Sequence, residues 1–358
     1  MSDVLELHEA EDAFRRIEYW LRARGFFVAG GEALVADVYL GYGLSESIRR
    51  SSIGAPAEPC RPLPLAACRI RQLPGVEQHL AEDCRIGEWT QTWAAAEYEA
   101  AVERVRDAIG RGDVYQVNLV QHLFAPFSGD PGALAAIFAR LRPHRPSPFL
   151  GDGWTVVSAS PELFLRRRGE RVWTMPIKGT RPIGGTAELL GSEKDAAEHV
   201  MIVDLERNDL SRVCKPGSVR WPELMAAREL TGVEHMVSTV EGELREGVGL
   251  AEILEATFPG GSVTGAPKIA AVDLIAELEP VGRGASMGAL GTVYGNGDFD
   301  LTLTIRTFSV ADGMIHLWVG GGVVWDSVPP AELEESWTKA RPLLEAIGSR
   351  VPEPVASR

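Results

Sequence analysis

The sequence predicts a folded protein that mixes α-helices with β-strands, and three observations support this. The chain has 358 residues, 45% of them hydrophobic, which is enough for an extensive core in one large or two ordinary domains. Segments with helical spacing of apolar residues alternate with segments of strand-like alternation. No run approaches the roughly 18 uncharged apolar residues of a membrane-spanning helix.

The first elements are predicted from residue spacing and from glycine and proline. A helix is expected over residues 10–24, where Phe14, Ile17 and Leu21 recur at helical spacing and Gly25 ends the pattern. Residues 26–40 are expected to form strands broken at glycines 30 and 31. Residues 54–74 hold five prolines, which cannot donate ladder hydrogen bonds. This stretch is therefore predicted to be a connecting loop, the best candidate for an internal boundary, and not a core strand.

The remaining elements follow by the same reasoning. A second amphipathic helix is predicted over residues 92–112, ended by Gly110 and Gly112, and a strand over residues 114–119. Residues 296–300 read as a hairpin turn. Residues 351–358 contain two prolines and are expected to be a frayed tail. Further strands are predicted near residues 154–174, 286–294, 299–309 and 314–319.

Charge and cysteine usage exclude several classes of protein. The formal net charge of -14 argues against binding to nucleic acid or to an anionic membrane, since both need clustered Lys and Arg. The N-terminus lacks the basic and apolar regions of a signal peptide, so a cytoplasmic location is expected. Cys60, Cys68, Cys84 and Cys214 show no C-x-x-C pairing and are expected to be reduced and mostly structural.

The most informative stretch is Pro-Ile-Lys-Gly-Thr-Arg at residues 176–181. It places the amine of Lys178 between a rigid proline and a flexible glycine, at the end of an apparent strand. Neighbouring cations or partial burial would lower the pKa of such a lysine and make it nucleophilic. The alternative is a surface lysine at a strand end, and the residues downstream decide against it.

Five downstream segments appear in an order that resembles the chorismate-utilising enzymes. These segments are Glu-His-Val-Met-Ile-Val-Asp-Leu-Glu-Arg-Asn-Asp-Leu at 198–210, His-Met-Val-Ser at 235–238, Phe-Pro-Gly-Gly-Ser-Val-Thr-Gly-Ala-Pro-Lys at 258–268, Ile-Arg-Thr at 305–307 and Gly-Gly-Gly at 320–322. The resemblance extends to anthranilate synthase component I, aminodeoxychorismate synthase component I, and the isochorismate and salicylate synthases. It implies an α+β fold of two stacked antiparallel β-sheets with helices outside.

The resemblance also implies a division of the chain. Residues 88–347 would be the chorismate-binding catalytic region, and residues 348–358 a C-terminal tail. Residues 1–87 would be a short N-terminal part of the same fold that ends in a Pro-rich loop. Many relatives carry a longer N-terminal part with a tryptophan pocket, so feedback inhibition by tryptophan is not expected here.

Two carboxylate pairs suggest a metal site. Asp195 with Glu198, and Glu332 with Glu335, are three residues apart on predicted helices, so each pair shares a helix face. Oxygen ligands of this kind suit Mg²⁺. The resemblance implies that Glu198 and Glu335 hold Mg²⁺ against the ring carboxylate of chorismate, with the other two acids supporting through water. Taken alone, the acids would be interpreted as ordinary helix-surface residues, with Glu335 and Lys339 as an ion pair. The flanking Glu-His-x-Met and Lys-Ala-Arg residues favour the metal site instead.

Other residues are candidates for substrate binding and acid chemistry. Arg306 would be an unusual charge to bury without an anionic partner, and it could bind the enolpyruvyl carboxylate in a bidentate manner. The resemblance implies that Glu162 is the general acid for the departing 4-hydroxyl, which requires a raised pKa, and that His235 lies near the ring. The predicted substrate-binding residues are Gln116, Thr180, Thr264, Gly265, Lys268, Arg306, Gly320, Gly321, Gly322 and Lys339.

Two residues distinguish among members of the family. Isochorismate and salicylate synthases carry a water-activating lysine where Gln116 stands, and a neutral amide cannot take that proton. Anthranilate synthases have alanine where Lys178 stands, and aminodeoxychorismate synthases have lysine. The prediction is therefore a transferase that aminates chorismate to 4-amino-4-deoxychorismate through a covalent Lys178 intermediate, for 4-aminobenzoate and folate or for a secondary metabolite.

Alternatives remain within and beyond this assignment. An anthranilate or 2-amino-2-deoxyisochorismate synthase component I is the first, and a non-catalytic paralogue is disfavoured because the chemical residues are retained. Thr292 stands where the family commonly has an aromatic residue, which leaves substrate preference open. The sequence shows no glutaminase motif, so ammonia is expected from a separate glutamine amidotransferase subunit or from solution.

Overall fold

The computed structural model describes residues 3–28, 31, 33–72, 83–141, 143–144, 148–230 and 233–350. For Thr180, Lys194, Leu230 and Val233 the description covers the backbone alone. The predicted tail at 351–358 and the break at residue 30 lie outside these ranges. Within the described residues, no helix is both long and apolar enough to cross a membrane.

A ten-stranded antiparallel sheet forms the larger layer of the described fold, in the order β1-β3-β2-β15-β16-β9-β10-β13-β11, with β12 paired to β13. Its strands are β1 (Val4–Leu7), β2 (Leu34–Leu40), β3 (Ala66–Gln72), β9 (Leu163–Arg168), β10 (Arg171–Met175), β11 (Ile177–Pro182), β12 (Arg220–Leu230), β13 (Val233–Glu243), β15 (Ala289–Tyr294) and β16 (Phe299–Leu303).

An eight-stranded antiparallel sheet forms the second described layer, in the order β14-β6-β18-β17-β8-β7, with β4 and β5 also paired to β6. Its strands are β4 (Cys84–Ile86), β5 (Thr90–Gln91), β6 (Gln116–Gly129), β7 (Phe149–Leu150), β8 (Trp154–Ser158), β14 (Gly265–Ala266), β17 (Thr307–Ala311) and β18 (Met314–Val323).

The helices of the described chain surround these sheets. They are α1 (Ala13–Arg22), α2 (Ala95–Arg111), α3 (Gly132–Ala139), α4 (Thr186–Gly191), α5 (Glu193–Ser211), α6 (Leu250–Thr257), α7 (Lys268–Leu278) and α8 (Pro329–Ala346). Short 3-10 helices occur at Tyr42–Ile48 and Gly261–Val263.

The hydrophobic core lies between the two sheets. One cluster joins Leu40 of β2 and Ala289 of β15 to Leu119 of β6 and Trp318 of β18. A second cluster packs the α8 side chains, including Trp337, against the eight-stranded sheet. Burial of apolar surface between stacked sheets and under outer helices is the usual basis of such layered folds. The predicted α+β architecture is confirmed.

The prediction of a connecting loop over residues 54–74 is wrong for its second half. Residues Ala66–Gln72 form β3, which pairs with both β1 and β2 in the larger sheet. The last proline before this strand is Pro64, so every residue of β3 has an N–H to donate. Cys68, with 0% exposure, packs in the core. β3 thus joins β1 and β2 in the larger sheet.

Most other elements match their predictions. The two N-terminal helices form over residues 13–22 and 95–111, and Gly112 follows the second with a positive φ of 81°. The predicted hairpin turn is present, with the Tyr294 N–H donating to the Asp298 carbonyl at 2.8 Å. The strand expected at 114–119 is longer, because β6 pairs with β18 over ten residue positions. All four cysteines are free thiols.

Candidate functional site

The candidate site lies where strand ends of the two sheets meet. Lys178 is on β11, at the edge of the larger sheet beside β13. Arg306 lies in the connection between β16 of the larger sheet and β17 of the smaller one. Gln116 begins β6 of the smaller sheet. These connections bring residues that are far apart in sequence to one region.

A β-bulge at Gly179 sets the position of Lys178. Lys178 faces Met236 on β13 and Thr180 faces His235, so Gly179 is an extra residue on β11. Its φ of +62° favours glycine, and a Cβ there would lie 2.6 Å from Leu189 Cδ1. The sequence placed glycine after the lysine, and the structure shows the reason.

His235 holds this bulge from the neighbouring strand. Its Nδ1 lies 3.1 Å from the Gly179 carbonyl oxygen, which can only accept, so Nδ1 carries the proton and donates. Burial lowers the pKa of His235, and the charge of Arg306 lowers it further, against the hydrogen bond to Gly179. The ring is therefore neutral at pH 7, and it braces the peptide next to Lys178.

Glu162 has the environment of a general acid. It is 4% exposed, and the Ser262 hydroxyl donates a hydrogen bond to its Oε1 at 2.8 Å. Burial raises the pKa of Glu162, while the Ser262 hydrogen bond and the positive charge of Lys178 oppose the rise. The raised pKa predicted from the sequence is confirmed in direction, and Lys178 lies close enough to act on it.

Arg306 provides a second positive charge beside Glu162. Its φ of 50° lies in the left-handed region, which is uncommon for a residue with a side chain. Burial lowers the pKa of Arg306, and the Glu162 charge opposes that shift. Among the side chains that the structure describes, the Arg306 guanidinium and the Lys178 ammonium have no hydrogen-bond or salt-bridge partner, although the Arg306 carbonyl accepts from the Ala159 N–H at 3.0 Å. Two such cations beside one buried acid form a site for an anion.

On the smaller sheet, the candidate site includes Gln116 and the glycines that pack closely against β6. Gln116 is 1% exposed, and a Cβ on Gly322 would lie 1.7 Å from its Nε2. A Cβ on Gly265 would lie 2.1 Å from the Gln116 carbonyl oxygen, and one on Gly320 would lie 1.9 Å from the Leu119 carbonyl oxygen. Close approach of backbone to Gly265 and Gly320, and of the Gln116 side chain to Gly322, explains these three glycines without a ligand. Their contact with substrate stays a prediction.

Two other predicted binding residues are engaged inside the fold. The Lys268 ammonium donates to Asp209 Oδ2 at 2.5 Å and to the Thr257 carbonyl at 2.9 Å. The Thr264 side chain is fully buried, and its hydroxyl donates to the Gly260 carbonyl at 2.9 Å. Both residues stabilise the 258–268 segment that carries Ser262. Direct substrate contact by either one stays a prediction, as does that of Thr180, whose side chain lies outside the described part of the chain.

The predicted acidic pairs lie on two helices that flank the site. Asp195 and Glu198 are on α5, where the Arg181 guanidinium donates to Asp195 Oδ2 at 3.1 Å. Glu332 and Glu335 are on α8, and Glu332 is 5% exposed.

Lys339 links the second pair to the glycine strand β18. It donates to Glu335 Oε1 at 2.7 Å and to the Gly320 carbonyl at 2.9 Å. A Cβ on Gly321 would lie 2.9 Å from Glu335 Oε1, so this glycine leaves room for the carboxylate. The ion pair considered from the sequence is present.

The donor atoms fit Mg²⁺ in kind, because all four acids offer hard carboxylate oxygens. Nowhere in the described ranges do three or more His, Cys, Asp or Glu side chains gather as a metal-binding group. In proteins Mg²⁺ usually takes one or two carboxylates and completes its shell with water and substrate oxygens.

Sequence reasoning missed two residues next to the acid and the lysine. Ser262 lies inside the 258–268 segment but no periodicity marks it as the partner of Glu162. His199 is 0% exposed, and its Nε2 lies 2.6 Å from Ser238 Oγ. Burial and the charge of Lys178 lower the pKa of His199 to about 4.

Thr292, which stands where the family commonly has an aromatic residue, is buried in β15, with its hydroxyl 3.4 Å from Asp37 Oδ1.

A model of the chorismate binding enzyme family matches residues 58–345. The chain belongs to that family. The chain is 46% identical over 262 residues to an anthranilate synthase component 1 of Thermus thermophilus, covering 70% of the chain and 56% of the relative. It is 38% identical over 290 residues to an aminodeoxychorismate synthase component 1 of Bacillus subtilis, covering 78% of the chain and 61% of the relative.

The fold agrees with this membership. The crystal structure of anthranilate synthase component I from Streptococcus pneumoniae superposes with a TM-score of 0.76 at 26% identity, covering 86% of this chain and 80% of the other. The chain spans about half the length of the curated relatives it matches. The family resemblance read from the motifs is confirmed, and the relatives divide between two products.

Proposed function

We propose that this enzyme converts chorismate and ammonia to 4-amino-4-deoxychorismate through a covalent adduct on Lys178. The observation that carries the proposal is the setting of that lysine. Lys178 projects from a glycine bulge, beside the buried acid Glu162, and no carboxylate among the described residues pairs with it. An amine fixed near a proton donor, and not consumed by an ion pair, suits nucleophilic catalysis.

The first step forms one bond and breaks one. The Lys178 ammonium first loses a proton to solvent. The free amine then attacks C2 of chorismate, the ring double bonds shift, and the C4–O bond breaks. Glu162 gives its proton to the departing oxygen, which leaves as water. The nitrogen of the adduct loses one proton, so Glu162 can be reprotonated without net change.

The second step reverses the shift. Ammonia attacks C4, the double bonds move back, and the bond from C2 to the Lys178 nitrogen breaks. The new amine loses a proton and the lysine regains one. Chorismate and ammonia therefore give 4-amino-4-deoxychorismate and water, with nitrogen on the carbon that lost oxygen.

The other site residues would bind and orient the dicarboxylate. Arg306 offers a guanidinium that can take a carboxylate in a bidentate manner, and with Lys178 it supplies local positive charge in a chain of net charge -14. The backbone amides near Gly321 can approach a second carboxylate. The Gln116 amide cannot deprotonate water, which disfavours attack by water at C2.

A metal and a partner subunit complete the proposal. Glu198 and Glu335 would hold Mg²⁺, with Asp195 and Glu332 supporting through water, and the bound ion would neutralise carboxylate charge. Relatives named component 1 support a second subunit, which we propose to be a glutamine amidotransferase that supplies ammonia. The product would serve 4-aminobenzoate and folate or a secondary metabolite.

Anthranilate or 2-amino-2-deoxyisochorismate is the second candidate product. The anthranilate synthase relative of 46% identity favours it. In that reaction ammonia itself attacks C2, and Lys178 would serve only as a cation for the substrate. The two candidates therefore differ in whether a bond forms to Lys178.

The test compares wild type with Lys178→Ala and Lys178→Arg in chorismate, Mg²⁺ and ammonium, with products identified by mass and NMR. We expect 4-amino-4-deoxychorismate from wild type, and an adduct on the Lys178 peptide by intact mass. Arginine keeps the charge without the nucleophile, so Lys178→Arg should form no adduct. Undiminished 4-amino-4-deoxychorismate from Lys178→Ala would refute the covalent route, and anthranilate from wild type would establish the second candidate.

A further inference from the structure

A second buried carboxyl lies behind Glu162. Glu206 on α5 is 7% exposed, and the Thr174 hydroxyl on β10 donates to its Oε2 at 3.2 Å. The 3-10 turn Gly261–Val263 contacts both acids. A Cβ on Gly261 would lie 3.4 Å from Glu206 Cγ, while the next residue, Ser262, donates to Glu162 at 2.8 Å. A single turn of backbone therefore separates the two carboxyl groups.

A small cavity adjoins Glu206. Its lining combines the apolar side chains of Phe164 and Leu165 with Thr174 and Asp209. Asp209 is already paired with Lys268. Glu206 thus has a hydroxyl partner but no paired cation among the described residues.

The charges that face Glu206 come from three elements. Glu162, ahead of β9, and Asp209, on its own helix, are like charges, and Lys268 at the start of α7 is an opposite charge. Burial raises the pKa of Glu206 well above its usual range, and the Glu162 charge adds to the rise. Two carboxylates in a poorly hydrated region do not readily ionise together, so the pair retains a proton.

Whether Glu162 or Glu206 holds that proton depends on the charges of Lys178 and Arg306. In the free enzyme, Lys178 and Arg306 favour a charged Glu162, which leaves the proton with Glu206. A bound dicarboxylate offsets the charge of Arg306, and Lys178 is uncharged when it reacts, so the balance then favours a protonated Glu162. The residues used in the proposed reaction leave Glu206 without another role.

We propose that Glu206 is a positioning residue that keeps one proton in the carboxyl pair, so that Glu162 is protonated when the dicarboxylate is bound. This inference rests on the proposed role of Glu162 as general acid. It assigns to Glu206 no contact with substrate. Its effect should therefore appear in the pH dependence of the reaction and not in the identity of the product.

The test is a pH profile of kcat/KM for chorismate consumption, with Mg²⁺ present and the concentration of free ammonia held constant. Glu206→Gln keeps the shape of the side chain but cannot ionise. Without the like charge, Glu162 should lose its proton more easily, so the alkaline limb of the profile should move to lower pH by at least about one unit. Above that limb, Glu206→Gln should be about tenfold slower than wild type.

Glu206→Asp is the matched variant, since it retains a carboxyl and should keep the alkaline limb near that of wild type. Uniform loss of rate at every pH in Glu206→Gln would show a merely structural role and overturn the proposal, as would superimposable profiles. If Glu206→Gln does not fold, Glu206→Asp alone tests the proposal. A shift of its alkaline limb to lower pH by about one unit would overturn the proposal, because aspartate keeps the second carboxyl. Product analysis of wild type separates this outcome from failure of the proposed function, because the profile follows chorismate whichever product forms.

Discussion

Gly179→Ala tests whether the β-bulge determines catalysis by positioning Lys178. Alanine in the left-handed region costs about 1–2 kcal/mol relative to its ordinary conformations. The new Cβ would also lie 2.6 Å from Leu189 Cδ1 and 3.4 Å from Asp195 Cγ. Leu189 is fully buried, so it cannot swing away into solvent. Relief of the contact must come largely from movement of β11, which carries the lysine.

A displacement of about 1 Å at a reacting group can reduce a rate about 100-fold. We therefore expect Gly179→Ala to lose about 100-fold in kcat/KM for chorismate, with a loss of unfolding free energy of about 1–2 kcal/mol or somewhat more. Gly169→Ala is the matched control. Gly169 has a φ of +58°, and a Cβ there meets no atom within 4 Å. It should incur a similar stability cost while activity stays near that of wild type.

The assays are denaturant unfolding for stability and chorismate consumption with ammonium for activity. Adduct formation on Lys178, followed by intact mass, reports the first chemical step directly. Equal activity losses in the two alanine variants would show that global destabilisation, and not the bulge, is responsible. Full activity in Gly179→Ala would refute the positioning argument, because the lysine would then tolerate movement of its strand.

Three further outcomes are expected. Glu335→Gln should lower activity by orders of magnitude, and EDTA should abolish wild-type turnover until Mg²⁺ is restored; full activity in EDTA would contradict a metal role. Gln116→Lys should increase any isochorismate formed in the absence of ammonia, measured by chromatography, since the new amine can activate water. Burial raises the pKa of Glu58 to about 7, so its contribution to stability is present at low pH and lost as pH rises through 7. Glu58→Gln should reduce the difference in unfolding free energy between pH 5 and pH 8 by up to about 3 kcal/mol, and an unchanged difference would contradict this.

Local sequence patterns predicted the helices, whose hydrogen bonds join residues close together in the sequence. The amphipathic patterns located α1 and α2, and the acid pairs fell on helices α5 and α8 as expected. The proline-rich stretch misled, because β3 owes its place to partners on both sides, β1 and β2, and its own residues contain no proline. Pairing across the sheet outweighed the loop signal of the preceding residues.

The residues of the candidate site that could be predicted are those whose residue type and local sequence indicate a chemical role. Lysine before glycine pointed to Lys178, and a charge on a strand pattern pointed to Arg306. The contacts that shift the pKa of Glu162 could not be predicted. Ser262 and Glu162 are 100 residues apart in sequence, and only the folded chain brings the 3-10 turn Gly261–Val263 beside Glu162. Glu206 carries no spacing signal at all, and only its burial beside that turn distinguishes it from an ordinary helix acid.

Five cations lie within the segments that resemble the family, and the structure separates them by their partners. They are Lys178, Arg181, Lys268, Arg306 and Lys339. Lys268 is paired with Asp209, Lys339 with Glu335, and Arg181 with Asp195 and Glu188. A carboxylate partner offsets much of the positive charge that each of these could present to an anion. Lys178 and Arg306 have no such partner among the described residues, and both act on the buried Glu162. In a chain of net charge -14, two neighbouring, half-buried cations without carboxylate partners mark a place where an anion can bind. Composition and motif spacing do not show which cations have carboxylate partners. The structure does, and this difference in pairing is the physical reason to place the chemistry at Lys178.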